Sequence, residues 1–188
     1  KKEIRESLAE VKTSINAGDF ALASSELAFV FDQIQTKYEQ TGVPEAQRNL
    51  MPKGFASSIV TMMDNVDADV ATTVFSNIGN NLGDKYANKF INELRDAGLA
   101  PEYVRSMYLQ DNDRIKLELA TVSRMDAKDL KENLPTDTDS EFRKIINTDR
   151  ELVMYQQAYL NGADSEGLSI VDEQLEVVKK VAMWRMRN

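Results

Sequence analysis

The 188-residue chain contains no histidine and no cysteine. Without histidine it has neither a His-based catalytic triad nor an imidazole metal site. Without cysteine it has no disulfide framework, thiolate nucleophile, zinc finger or iron–sulfur cluster. The lack of cysteine is compatible with a reducing compartment but does not specify one. Carboxylates are therefore the main acid–base groups that remain.

Long apolar segments are missing as well. The longest uninterrupted apolar run is Leu27–Phe31, whereas a membrane-spanning helix needs about 20 residues. The chain begins Lys1-Lys2-Glu3, without the apolar segment of a signal peptide. These features predict a soluble protein, either cytoplasmic or virion-associated. Because the first residue is not methionine, we interpret the chain as a piece of a longer protein.

The charge balance is acidic, with 31 acidic and 23 basic side chains and a net charge of −8. Surfaces that bind nucleic acid are normally basic, and an acidic chain is not attracted to anionic membranes. The balance favours a protein partner or self-association over nucleic acid, for which the C-terminal tip is the one candidate contact. No cofactor or metal is expected.

Apolar residues are spaced as in α-helices along almost the whole chain. The first stripe has steps of four, three and four residues and comprises Ile4, Leu8, Val11 and Ile15. Gly18 and Asp19 then predict a helix end and the N-cap of a second helix. No period-two pattern bounded by hairpin turns is present. The sequence predicts an all-α fold, an orthogonal or up-down bundle of about eight to ten helices.

Turn signals predict how the helices are arranged. The segment Gly79–Gly83 predicts a turn between helices, because its two asparagines tolerate left-handed backbone. Thr138-Asp139-Ser140-Glu141 matches a capping box at the start of a helix. The acidic, turn-rich segment Leu134–Asp137 predicts a seam between a helical bundle at 1–134 and a longer C-terminal helical hairpin at 136–188. We expect the hairpin to pack on the bundle as one unit.

One spacing of polar residues suggests an enzyme. Glu10, Asp19 and Ser25 follow one another in an order that resembles the Glu, Asp and Thr of phage-type lysozymes. Those enzymes carry a Gly- and Tyr-rich β-hairpin where this chain stays helical. The resemblance implies, as an alternative, a small peptidoglycan-cleaving lysin with Glu10 and Asp19 in acid–base roles.

Two acidic clusters are candidates for calcium, Asp64/Asp67/Asp69 and Asp137/Asp139/Glu141. Neither has the glycine at position six and the glutamate at position twelve that an EF-hand loop requires. Acidic residues also stabilise helix N-termini. We interpret both clusters as helix starts.

The C-terminal tip is the one basic patch. It comprises Lys179, Lys180, Arg185 and Arg187, with Trp184 lying off the apolar stripe of the last helix. Cations near a helix C-terminus are stabilised by the helix dipole, which is one interpretation. The other is a docking tip with Trp184 as its aromatic anchor. We therefore predict Lys179, Lys180, Trp184, Arg185 and Arg187 as partner-binding residues.

Parts of the sequence resemble known protein families. The turn Ala17-Gly18-Asp19-Phe20 is similar to that of tetratricopeptide-like hairpins. In their general composition and helical pattern, Leu99–Val104 and the closing helix resemble helical segments of phage internal virion (ejection) or tape-measure proteins. That resemblance implies a non-catalytic helical domain for structure or protein–protein interaction within a larger assembly-forming protein. A helical ligand-binding module is a further alternative, with the eight methionines lining a pocket rather than filling the core.

Overall fold

The computed structural model describes residues 2–52, 54–108, 113–132, 140 and 165–188. Nine α-helices have their bounds within this part of the chain, which contains no strand. They are α1 (Lys2–Asn16), α2 (Phe20–Gln40), α3 (Phe55–Asp64), α4 (Ala68–Leu82), α5 (Asp84–Asp96), α6 (Pro101–Tyr108), α7 (Asp113–Ser123), α8 (Ala127–Glu132) and α9 (Ser165–Arg187). A short 3₁₀ turn, Glu45–Gln47, lies between α2 and α3. The prediction of an all-α fold is confirmed.

The chain forms two compact units, residues 1–112 and residues 113–188. Helices α1 to α6 belong to the first unit and α7 to α9 to the second. The predicted seam at Leu134–Asp137 and the predicted capping box, apart from Ser140, lie outside the described residues. The first arm of the predicted hairpin also lies outside them, so the predicted division at 134–136 stays a prediction.

Helices α1 and α2 form the hairpin that the first apolar stripe predicts. Gly18 has a φ of +77°, which favours glycine, and its backbone ends α1. The Asp19 carboxylate then accepts the Leu22 N–H at 3.1 Å and caps α2. Val11 of α1 and Leu27 of α2 are completely buried, so the apolar faces of the two helices form part of the core.

Helix α4 lies at the centre of the first unit, in contact with α2 and α6. The predicted turn at Gly79 is wrong, because α4 continues to Leu82 and ends at Gly83. Gly79 instead allows two backbones to meet: a Cβ atom there would lie 2.2 Å from the Met107 carbonyl oxygen of α6. The absence of a side chain at Gly79 thus permits the close crossing of α4 and α6.

The segment before α3 is held by one side chain of α5. The Glu93 carboxylate accepts backbone N–H groups from Leu50 and from Met51, the latter at 3.0 Å. Burial raises the pKa of Glu93 above its ordinary value, against the lowering effect of these two hydrogen bonds. Leu50 and Met51 are themselves buried. Glu93 therefore satisfies two N–H groups where the chain enters the core.

The second unit is held together by an apolar core. Leu119 and Val122 of α7, Leu130 of α8 and Val178 of α9 are buried. Helix α9 contacts both α7 and α8. The long closing helix predicted from the last apolar stripe is present as α9, with Val178 and Ala182 buried as that stripe requires.

Candidate docking surfaces

The three residues of the lysin alternative all lie on the α1–α2 hairpin. Glu10 is exposed on α1. Asp19 caps α2 through the Leu22 N–H, and the Ser25 hydroxyl donates to the Ala21 carbonyl oxygen of its own helix at 3.1 Å. The chain from α1 through α2 is helical apart from the tight turn. Asp19 and Ser25 therefore have local structural roles.

The first acidic cluster lies at the connection between α3 and α4, where Asp64, Asp67 and Asp69 are all exposed. Asp67 occupies the N-cap position of α4 but makes no side-chain capping hydrogen bond. Within the described residues, no three carboxylates converge closely enough to hold a metal ion. The second cluster, Asp137, Asp139 and Glu141, lies outside the described residues.

The basic tip on α9 is partly engaged in contacts within its own unit. Arg185 donates two hydrogen bonds to the Glu118 carboxylate, at 3.0 Å from Nε and 2.7 Å from Nη2. Glu118 is buried, whereas the Arg185 side chain is 31% exposed. Lys179 forms an ion pair with Glu176 one turn before it. Arg185 and Lys179 are thus paired with acidic side chains of the second unit.

Trp184 and Arg187 remain accessible at this tip. Trp184 is half-buried and Arg187 is exposed. Trp184 also lies off the buried face of α9, as its position relative to Val178 and Ala182 predicted. Docking through Trp184 stays a prediction.

A different surface, which sequence reasoning missed, lies along the outward face of α2. Phe29 is 59% exposed and Leu22 is 48% exposed, seven residues apart on one side of the helix. A groove of about 390 Å³ runs along the same side. Its lining residues in α2 are Phe29, Asp32, Gln33, Thr36, Lys37 and Gln40. We call these six residues, together with Leu22, the α2 surface.

Polar contacts fix one edge of the α2 surface to α5. Asp32 accepts hydrogen bonds from the Tyr86 hydroxyl and, at 2.9 Å, from Lys85 Nζ. Lys85 Nζ also lies 4.8 Å from the centroid of the Tyr86 ring, a cation–π distance. The Tyr86 ring packs edge-on against Phe31 of the core, with ring centroids 5.4 Å apart. The edge beside Phe29 is therefore well anchored.

The pKa values in this cluster follow from those contacts. The hydrogen bonds from Tyr86 and then Lys85 hold the pKa of Asp32 below its ordinary value of 3.8. Burial and the bond to Asp32 raise the pKa of Tyr86. The hydrogen bonds to Tyr86 and Asp32 raise the pKa of Lys85. Asp32 is thus negative and Lys85 positive at neutral pH.

The sequence does carry a signal for this surface. Leu22 and Phe29 lie off the stripe that places Leu27, Phe31 and Ile34 in the core, and they repeat at seven residues. Two turns of helix bring such positions back to the same side. An apolar pair that repeats off the buried stripe indicates a helix with a second contact face.

No helix among the described residues is long and apolar enough to cross a membrane. Comparisons with protein-family models, with curated proteins and with solved structures find no match to this chain.

Proposed function

We propose that this chain is a non-catalytic helical domain that docks onto protein, part of a larger assembly-forming protein such as a virion component. The observation that carries the proposal is the exposure of Phe29 at the centre of the α2 surface. An apolar ring that is 59% exposed is unfavourable in water, and exposed aromatic side chains with a polar rim are typical anchors of protein interfaces.

The rest of the α2 surface suits this role. Gln33, Thr36 and Gln40 offer hydrogen-bonding groups around Phe29, and Lys37 adds a charge. The opposite face of α2 is buried in the core through Leu27, Phe31 and Ile34. The helix is therefore held firmly while it presents Phe29, which lowers the entropy lost on binding.

The C-terminal tip is proposed as a second contact. Trp184 supplies an aromatic anchor and Arg187 an exposed charge at the end of α9. The bidentate pair between Arg185 and Glu118 holds this end of α9 against α7. Arg185 thereby acts mainly by positioning Trp184 and contributes less of its own charge to a partner.

A photo-crosslinking amino acid at position 29 tests the proposal. The full chain would be produced in its source organism with the crosslinker in place of Phe29. The matched control carries the same residue in place of Ala9, which is exposed on α1. We expect discrete crosslinked protein species, identified by mass spectrometry, from position 29 and none from position 9.

The crosslinking result decides whether the α2 surface docks onto protein. A crosslink from position 29 to any single protein, including a second copy of this chain, supports docking through the α2 surface. No crosslink from position 29, or the same diffuse set from both positions, would overturn it.

A further inference from the structure

The acidic residues of α2 are all engaged within the first unit, whereas its one lysine is not. Each carboxylate at or within α2 has a partner. Asp19 accepts the Leu22 N–H, and Glu26 accepts a hydrogen bond from the Ser14 hydroxyl. Asp32 accepts hydrogen bonds from Lys85 and Tyr86, and Glu39 forms an ion pair with Arg48. Lys37 is exposed and forms no ion pair with any residue that the structure describes. Lys37 of the α2 surface therefore carries a positive charge that no described carboxylate neutralises, in a chain whose net charge is −8.

That charge lies close to the exposed ring. Lys37 follows Phe29 by eight residues on the same side of the helix, which is about 12 Å at the helical rise. Lys85 stands beside Asp32, one turn from Phe29. Since Asp32 already neutralises Lys85, a partner that covers Phe29 meets the charge of Lys37 on its rim, and an apolar group flanked by carboxylates matches this surface best.

The first unit itself carries such a group. Where α3 leads into α4, Val70 is 45% exposed, and Asp64, Asp67 and Asp69 around it are exposed too. Within the described part of the chain, none of these three carboxylates forms a hydrogen bond or an ion pair. We call Asp64, Asp67, Asp69 and Val70 the α4 corner. It combines an exposed aliphatic group with three negative charges that no described residue neutralises.

We propose that the α2 surface of one copy of this chain binds the α4 corner of a second copy. Val70 and its surroundings cover Phe29, and the aspartates face Lys37. This inference rests on the proposed docking function and names its partner. Because the two surfaces differ, the contact is heterologous, and the bound pair keeps one free α2 surface and one free α4 corner, on different copies. Such contacts extend into closed rings or filaments.

Symmetric pairing of two α2 surfaces fits the charges less well. If two antiparallel α2 helices met at Phe29, Asp32 of one copy would face Glu26 of the other, since both lie three residues from Phe29. Lys37 would face the uncharged Ala21, eight residues on the other side. That arrangement leaves Lys37 without an opposite charge across the contact, whereas the α4 corner supplies three.

Sedimentation velocity of the full chain over a range of protein and salt concentrations tests the inference. We expect wild type to associate as its concentration rises, and to associate less as salt screens the rim charges. Lys37→Glu and Asp64→Lys should each weaken association at least tenfold. The double variant should regain it, because the exchanged charges again attract each other across the contact. Lysine at position 64 suits the C-terminal end of α3, so the fold should persist.

Glu10→Lys is the matched control, since it reverses an exposed acid on α1 and should leave association unchanged. A chain that stays monomeric at every concentration would overturn the inference. So would normal association of Asp64→Lys, which would indicate symmetric pairing, or failure of the double variant to recover. If the chain is monomeric while position 29 crosslinks to a different protein, the inference fails and the docking function stands.

Discussion

Replacing Gly79 with alanine should destabilise the protein, although helix propensity alone predicts that this replacement stabilises it. In an exposed helix interior, Gly→Ala stabilises by about 1 kcal/mol. Here the new Cβ atom would lie 2.2 Å from the Met107 carbonyl oxygen and 2.8 Å from its Cα. Because the obstacle is backbone, no side chain can rotate away. Helix α6 must retreat by about 0.8 Å for the nearest contact to reach even 3.0 Å.

The cost of that retreat follows from the residues at the crossing. Phe75, Val104 and Met107 are buried there, and the rings of Phe75 and Tyr103 stack at 6.1 Å. A gap of about 0.5–1 Å forfeits roughly a quarter to a half of each dispersion contact. Overpacking of a core costs about 1–3 kcal/mol. With about 3 kcal/mol lost at a backbone obstacle and about 1 kcal/mol gained from propensity, we expect a net loss of about 2 kcal/mol.

Thermal unfolding followed by circular dichroism measures this loss. For a chain of this size, about 2 kcal/mol lowers Tm by roughly 4–8 °C. Asn81→Ala is the matched control, because Asn81 is exposed on the same helix and its replacement raises propensity without a clash. A Tm for Gly79→Ala that equals or exceeds that of wild type would refute the steric argument.

Four further predictions concern side chains that hold the units together or face a partner. Glu93→Ala should lower the free energy of unfolding by about 1–3 kcal/mol in urea titrations, because two backbone N–H groups lose their acceptor; Glu93→Gln should cost less. Arg185→Ala should cost about 3 kcal/mol by the same assay, since it leaves the buried Glu118 carboxylate poorly compensated. Asp32→Asn should be less stable than wild type at pH 7. Its deficit should shrink as the pH falls below 3.8, because the lowered pKa of Asp32 contributes stability that is lost as the carboxylate protonates. Trp184→Ala should keep its helical circular dichroism spectrum and weaken assembly of the full chain, and unchanged assembly would remove the tip from the proposed interface.

Local signals were sufficient to predict the hairpin at the start of the chain. The apolar stripe through Val11 and Ile15 is long and regular, and Gly18 followed by Asp19 combines a helix end with an N-cap. Both signals act within a few residues of the chain, so no knowledge of distant contacts is needed.

Gly79 shows where local signals fail. A glycine followed by two asparagines favours a turn, but the burial of Phe75 and Ile78 on the same helix favours continuation. The role of Gly79 depends on Met107, which lies 28 residues later in the chain. A contact at that separation leaves no trace in the local pattern.

The features of the candidate sites are likewise of two kinds, those that the local sequence predicts and those that depend on tertiary packing. The sequence alone predicted an all-α chain without histidine or thiol chemistry and placed Trp184 off the buried face of its helix, because composition and helical periodicity are local properties. The tertiary structure decided the pairing of Arg185 with Glu118 and the exposure of Phe29 on the same helix side as Lys37, which pairs with no carboxylate among the described residues. Which charges are neutralised and which apolar groups are left uncovered depends on the helices that pack around them, and periodicity does not specify that packing.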